Sequence, residues 1–249
     1  MSGPALALSL ALPALLALAA PARARRADAA AAPASVRYQL GLLYRGAAWT
    51  PERTPRTDSL QAGHMANIVH MASLGALVAA GPFEEDQELR GLFVFAPEAG
   101  GIDTLLADDP AIAAGRLECR LATWVAPPGL GDEYRRRAAA RGARDAPDSM
   151  VSFAWVMLHR GARYDSRPTP AVEKLLQRHH AYTERLRADG QLVFAGAVEG
   201  TGDLRGVLVF QGDSVDVMRA VREDPAVRAG RFSPRILHWW TAWGTIPGH

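Results

Sequence analysis

The chain has 249 residues, of which 49% are hydrophobic and 22% charged, and this composition excludes disorder of the whole chain. It fits one large domain or two modest ones with buried cores. The formal charge is nearly balanced at +2, and Lys174, as the only lysine, is the single candidate for a Schiff base. Cys119 is the only cysteine, which excludes an intrachain disulfide framework, a zinc knuckle and a CxxC redox pair.

Residues 1–35 have the composition of a leader. The apolar run over 5–20 is interrupted by Pro13 and is shorter than the roughly 20 residues that cross a bilayer. The small residues Ala22 and Ala24 then predict cleavage of a signal peptide, 1–24, and export of the mature chain to the periplasm or outside the cell, without a membrane span. No basic residue precedes Arg23, so an alanine-rich tail on a cytoplasmic protein is the alternative.

After the leader the chain contains two copies of one sequence repeat. Residues 36–126 align with 151–241 at a constant offset of 115, and 29 of the 91 pairs are identical. The shared pairs include Arg45/Arg160, His64/His179, Gly75/Gly190, Gly81/Gly196, Arg90/Arg205, Asp109/Asp224 and Trp124/Trp239. Self-similarity of this kind predicts two homologous domains, 36–126 and 151–249, joined by a linker over 127–150.

Each copy opens with an aromatic and branched-aliphatic run, VRYQLGLLYRG or VSFAWVMLHRG, that predicts a strand. Apolar residues at helical spacing over 58–74 and 171–189 predict a helix, with Gly75 or Gly190 at its C-terminal cap. Two short apolar runs then predict a hairpin, a second helical region follows, and RLECRLATWV or RFSPRILHWW predicts the last strand.

The order β-α-β-β-α-β is the ferredoxin-like α+β arrangement, with two helices on one face of an antiparallel sheet. The bare face of each sheet predicts that the copies pack face to face as an intramolecular pseudo-dimer, compatible with a further homo-oligomer. Trp124, Trp239, Trp240 and Trp243 are expected at that seam. Two separate domains on a flexible linker are the alternative. The linker arginines Arg135, Arg136 and Arg137 favour a solvated helix over a phosphate or membrane contact, and no basic-aromatic pattern indicates nucleic-acid binding.

His64 and His179 lie on the apolar stripe of the first helix in each copy, which predicts that they face the sheet. A partly buried imidazole serves as a general acid or base if a second group orients it, although a core histidine bonded to a backbone carbonyl is equally consistent. Asp109 and Asp224 are the natural orienting carboxylates. Each precedes a proline, so each is also a good helix N-cap.

Arg90 and Arg205, and similarly Arg45 and Arg160, either hold an anionic group of a substrate or are surface residues beside glycine turns. The copies share no serine or cysteine nucleophile, and no GxSxG elbow occurs. One shared histidine and one shared aspartate, with Glu84 or Glu199, are too few to predict a metal site, and the glycines match no phosphate loop. The sequence therefore predicts a small-molecule ligand with neither metal nor cofactor.

Each copy resembles a YCII-related (YciI-like) domain. The resemblance rests on a helix histidine eleven residues before a glycine, LVAAGP or LVFAGA, an R-G before the third strand, and a D-P before a short helix and a tryptophan-bearing strand. It implies a dimeric α+β barrel with a cleft in which His64 pairs with Asp109 and His179 with Asp224. Ala197 stands where the first copy has Pro82, a departure from the pattern. Relatives on the wider fold include a dehydrochlorinase and lactone isomerases, an analogy only.

The leading hypothesis is an exported enzyme with two His/Asp acid–base sites, an isomerase, lyase or dehydrochlorinase acting on a small ring compound. A non-catalytic binding or stress-related module that uses the same cleft is the second hypothesis. A structural pseudo-dimer without a ligand is the third.

Overall fold

The computed structural model describes residues 35–85, 88–141, 148–200 and 202–248, so the predicted signal peptide lies outside the described residues. The first half contains β1 (Val36–Arg45), α1 (Pro55–Ser73), β2 (Leu77–Pro82), β3 (Leu89–Phe95), α2 (Ile102–Ala107), α3 (Pro110–Ala113) and β4 (Leu117–Ala126). The helix α4 (Asp132–Arg141) follows in the linker. The second half contains β5 (Met150–Arg160), α5 (Pro170–Ala188), β6 (Leu192–Glu199), β7 (Leu204–Phe210), α6 (Ser214–Glu223), α7 (Pro225–Arg228) and β8 (Phe232–Ala242). Within these ranges none of the helices combines the length and apolar character needed to cross a bilayer.

All eight strands belong to one antiparallel sheet, in the order β2-β3-β1-β4-β6-β7-β5-β8. The two halves have the same internal order, which confirms the predicted α+β class. They join where residues 123–125 of β4 pair with 197–199 of β6. The end of β2 also contacts β8, through a bridge between Phe83 and Trp239 and a hydrogen bond of 2.9 Å from Thr241 Oγ1 to the Ala80 carbonyl. The halves are therefore hydrogen-bonded to each other at two places.

The sheet faces that carry no helices share one apolar core drawn from both halves. At its centre the ring of Trp155 lies 5.4 Å from that of Trp124 and 5.1 Å from that of Trp239, and all three side chains are fully buried. Tilted and edge-to-face contacts at these distances are favourable for aromatic pairs. The prediction of a tryptophan seam is confirmed for Trp124 and Trp239, and Trp155 is an additional member that the sequence comparison did not single out.

The expectation was wrong for Trp240 and Trp243. Trp240 is 45% exposed because neighbouring residues of a strand point to opposite faces, so burial of Trp239 turns it outward. The ring of Trp243 instead stacks with the guanidinium of Arg137 on α4, at 3.3 Å. The linker helix is thereby attached to the C-terminal end of the second half, and it buries none of its own side chains, as predicted for a solvated helix.

Gly81 and Gly196 explain how the halves approach so closely. A Cβ atom built on Gly81 would lie 2.0 Å from the Trp240 carbonyl oxygen, and one on Gly196 would lie 2.4 Å from that of Val125. No side chain fits at such separations, so glycine is required at both places where backbone of one half passes over the other.

The helix α1 begins at Pro55 rather than at residue 58, and its counterpart α5 begins at Pro170. Thr54 caps α1 with its side chain, which accepts a hydrogen bond from the Thr57 backbone N–H, and proline suits the first turn that follows. The predicted C-terminal glycines are confirmed, because Gly75 and Gly190 have φ of +72° and +73°.

Candidate active site

In the first half, α1 and α3 bring His64 and Asp109 together. His64 Nδ1 lies 2.8 Å from Asp109 Oδ2, and the carboxylate is fully buried. The other oxygen, Oδ1, accepts hydrogen bonds from the backbone N–H groups of Ala111 (2.9 Å) and Ile112 (3.2 Å), which makes Asp109 the N-cap of α3. The two roles proposed for this aspartate thus occur together, one on each oxygen.

The second half repeats this geometry. His179 Nδ1 lies 2.7 Å from Asp224 Oδ2, while Asp224 Oδ1 accepts a hydrogen bond of 2.7 Å from the Ala226 N–H at the start of α7. Both histidine side chains are at most 10% exposed. The alternative of a histidine bonded to a backbone carbonyl does not describe either Nδ1.

The protonation of the pair follows from the carboxylate. Burial alone would raise the pKa of Asp109, but the hydrogen bond and charge of His64, with hydrogen bonds from Asn67 and the Ile112 backbone, outweigh it and hold the pKa below its ordinary value. An ionised carboxylate only accepts hydrogen bonds, so Nδ1 carries the proton and donates it to Oδ2. In a neutral imidazole the other nitrogen, Nε2, then carries the lone pair that a general base needs.

A cavity of about 370 Å³ lies beside His179. Its apolar wall includes Leu158, Leu208 and Phe232, and the Phe232 ring is 5.6 Å from the imidazole. Its size is that of a small-molecule site. His180 also lines the cavity, and burial, followed by the nearby charge of His179, lowers its pKa, which favours the neutral ring.

Two arginines give the cavity a cationic wall. Arg205 lines it and donates hydrogen bonds to the carbonyls of Gly200 (2.8 Å) and Gly202. Arg231 stacks on the Tyr164 ring at 4.6 Å. The Nε atoms of Arg205 and Arg231 are buried, and neither has a hydrogen-bond partner among the described residues. Both guanidinium groups belong to residues that line the cavity, and such groups suit an anionic ligand.

Arg231 was not among the predicted site residues, although its identity with Arg116 in the first copy is a signal that would have found it. The predicted Arg205 does lie on the cavity wall with His179. Its counterpart Arg90 holds the equivalent position in the first half, because its Nη1 donates to the Glu85 carbonyl at 3.5 Å as Arg205 does to that of Gly200. The Arg90 guanidinium is 5.0 Å from the Trp49 ring, which Arg116 also contacts at 4.4 Å. The predicted role of Arg90 in holding an anion stays a prediction.

Arg45 and Arg160, the other arginine pair considered for anion binding, make different contacts in the two halves. Arg45 forms an ion pair with Glu88 at 3.5 Å, and Arg160 stacks on Tyr164 at 5.0 Å. Over the described part of the chain, no three His, Cys, Asp or Glu side chains converge as metal ligands would. The contact between His179 and Asp224, beside the arginines of the cavity wall, offers proton transfer at an imidazole.

No family model matches the chain, and no curated protein matches it. Solved structures with the same fold do exist. A variant of the chlorite dismutase from Candidatus Nitrospira defluvii is 12% identical, with a TM-score of 0.52 over 84% of this chain and 92% of that one. A provisionally assigned chlorite dismutase is also 12% identical, with a TM-score of 0.51 over 85% of this chain and 97% of that one. Likeness at such low identity shows a common fold and says nothing about a shared reaction.

Proposed function

We propose that this chain is a small-molecule enzyme in which His179 with Asp224, and His64 with Asp109, act as general acid–base pairs. The observation that carries the proposal is the same Nδ1-to-carboxylate contact in both halves, at 2.7 and 2.8 Å. The reaction class is isomerisation or elimination on a small ring compound that bears an anionic group. No step of this scheme calls for a metal or cofactor.

In the second half, the proposed cycle starts with a ligand whose anionic oxygen is held by the guanidinium groups of Arg205 and Arg231 on the cavity wall. Nε2 of His179 then removes a proton from an acidic C–H bond, and the electron pair passes to the neighbouring carbonyl or expels a leaving group. Asp224 stabilises the imidazolium through Nδ1–H without taking the proton. Return of that proton to another carbon completes an isomerisation, and its release to solvent completes an elimination.

We also propose that the eight-stranded sheet closes as a dimeric α+β barrel of YCII-related type, formed within one chain. The contacts between β2 and β8 and the tryptophan core shared by both halves support this arrangement. Export to the periplasm or beyond is proposed from the apolar run and the small residues of the leader alone.

A binding module without turnover is the second candidate, and the presence of Arg205 and Arg231 on the cavity wall favours it, since they offer anion binding whether or not chemistry follows. Small phenols, lactones and carboxylates would first be screened by thermal shift, where a ligand that binds the folded state raises the melting temperature. The ligands that bind would then be incubated in D₂O with the protein and followed by NMR.

Deuterium incorporation or product formation that is lost in His179→Ala combined with His64→Ala supports the enzyme. The matched control is His159→Ala, which removes a partly exposed histidine paired with Asp203 at 3.1 Å. Binding that survives in the double variant, with no exchange by the wild type for any ligand, would establish the binding module instead.

A further inference from the structure

A histidine–carboxylate pair outside the cavity is extended by a hydroxyl. His238 Nδ1 is 2.7 Å from Glu85 Oε1, and His238 Nε2 is 3.0 Å from Ser214 Oγ. We propose that Ser214, His238 and Glu85 form a nucleophilic triad that hydrolyses short-chain carboxylic esters at the surface of the protein. This activity is separate from the one proposed for His179 and His64.

Both halves of the chain supply the triad. Glu85 follows β2 in the first half, whereas His238 lies on β8 and Ser214 is the first residue of α6 in the second. The Glu85 carboxylate also accepts the backbone N–H of His238, at 3.0 and 3.1 Å to its two oxygens. The backbone N–H of Glu84 in turn donates to the His238 carbonyl at 2.9 Å. These bonds fix the imidazole at the point where the halves meet.

The hydrogen-bond chemistry sets the direction of proton transfer. A carboxylate accepts, so Nδ1–H of His238 donates to Glu85 and leaves the lone pair on Nε2 to accept from the Ser214 hydroxyl. This is the relation of base to nucleophile that activates a serine. The group is also reachable, because Ser214 is exposed and the His238 side chain is 36% exposed.

The proposed reaction consumes one water per ester. Ser214 Oγ attacks the ester carbonyl carbon while its proton moves to His238 Nε2, and collapse of the tetrahedral intermediate breaks the bond to the alkoxy oxygen. That oxygen leaves as the alcohol with the proton from Nε2. Water then attacks the acyl-serine, gives its proton to Nε2, and the acid is released as Ser214 recovers its proton.

The surroundings of Ser214 indicate a small acyl group. Met218, one turn along α6 from Ser214 and on the same face, is 39% exposed and offers apolar contact for a short chain. The equivalents of Glu85, His238 and Ser214 by the repeat offset are Gly200, Thr123 and Ala99. The triad therefore exists once, which is why a search for chemistry shared by both copies misses it.

The test uses the full chain with p-nitrophenyl acetate, and a fluorophosphonate probe read by peptide mass spectrometry. We expect turnover by the wild type, a phosphonyl adduct on Ser214, and a fall in kcat/KM of at least about 100-fold in Ser214→Ala and in Glu85→Gln. His159→Ala should retain the wild-type rate. Circular dichroism and the melting temperature of Ser214→Ala should match the wild type, since the residue is exposed.

An adduct on Ser214 is informative even if a variant at His238 or Glu85 fails to fold. Equal rates for the wild type and Ser214→Ala would overturn the proposal. So would a wild-type chain whose Ser214 peptide stays unmodified, which would leave Glu85 and His238 as a purely structural link between the halves.

Discussion

Replacing Asp224 by Asn separates its two roles. Asparagine is as good an N-cap as aspartate, so its Oδ1 keeps the hydrogen bond from Ala226 N–H. Its NH₂ group then faces His179 Nδ1, which must become an acceptor, and the imidazole proton moves to Nε2. A hydrogen bond to a charged group contributes about 1.5–3 kcal/mol. We therefore expect the free energy of unfolding to fall by about that amount and the tautomer to invert.

The assay is urea unfolding combined with long-range ¹⁵N–¹H NMR of protein labelled at its 7 histidines. In the wild type, Nε2 of His179 should show the shift of an unprotonated nitrogen, and in Asp224→Asn that of a protonated one. A catalytic rate that depends on this base should fall by about 10⁴-fold, as expected from an inverted tautomer. The matched control is Asp213→Asn, which changes an N-cap bonded to Val215 and Asp216 at 2.9 Å each. An unchanged tautomer, or equal destabilisation by both substitutions, would refute the reasoning.

Three further predictions concern stability and reactivity. Gly81→Ala should lower the free energy of unfolding by about 3 kcal/mol, because its Cβ would meet backbone of the other half, whereas a Cβ at Gly100 has nothing within 4 Å and Gly100→Ala should be near neutral in the same urea titration. The lowered pKa of Asp109 adds stability above its unfolded pKa of about 3.9, and that stability is lost as the pH falls through the folded value. Unfolding free energies measured between pH 6 and roughly pH 2 should decline less steeply in Asp109→Asn, and parallel curves would contradict this. Burial, with the charge of Asp109, raises the pKa of Cys119 to about 12, so the native thiol should react with Ellman's reagent far more slowly at pH 8 than in the urea-unfolded chain.

Much of the fold was predictable because local patterns and tertiary structure agree here. Strand runs, helix stripes and cap glycines such as Gly75 follow from local propensity and backbone sterics. How the halves join was harder to derive from the sequence, because it depends on which backbone segment of one half lies against which segment of the other. Gly81 and Gly196 are visible in the sequence as a shared pair, but nothing in the sequence says that they face Trp240 and Val125 of the opposite half.

Residues of the candidate site were predictable where both copies of the repeat have the same residue at equivalent positions. Recurrence singled out His64 and His179 with their aspartates, and the structure brings each pair within hydrogen-bond distance. Recurrence is less informative about the surroundings of an arginine, since Arg90 packs against Trp49, whereas Arg205 lines the cavity in the half where Tyr164 replaces that tryptophan.

Covalent linkage of the halves has an evolutionary consequence. In a dimer of identical subunits every substitution appears twice, so a change useful on one side is imposed on the other. Here Glu85, His238 and Ser214 each occur at one position while their equivalents are Gly200, Thr123 and Ala99. In a fused chain a substitution changes one half only, so one half can specialise while the other does not. The resulting asymmetric surface is encoded by a single gene.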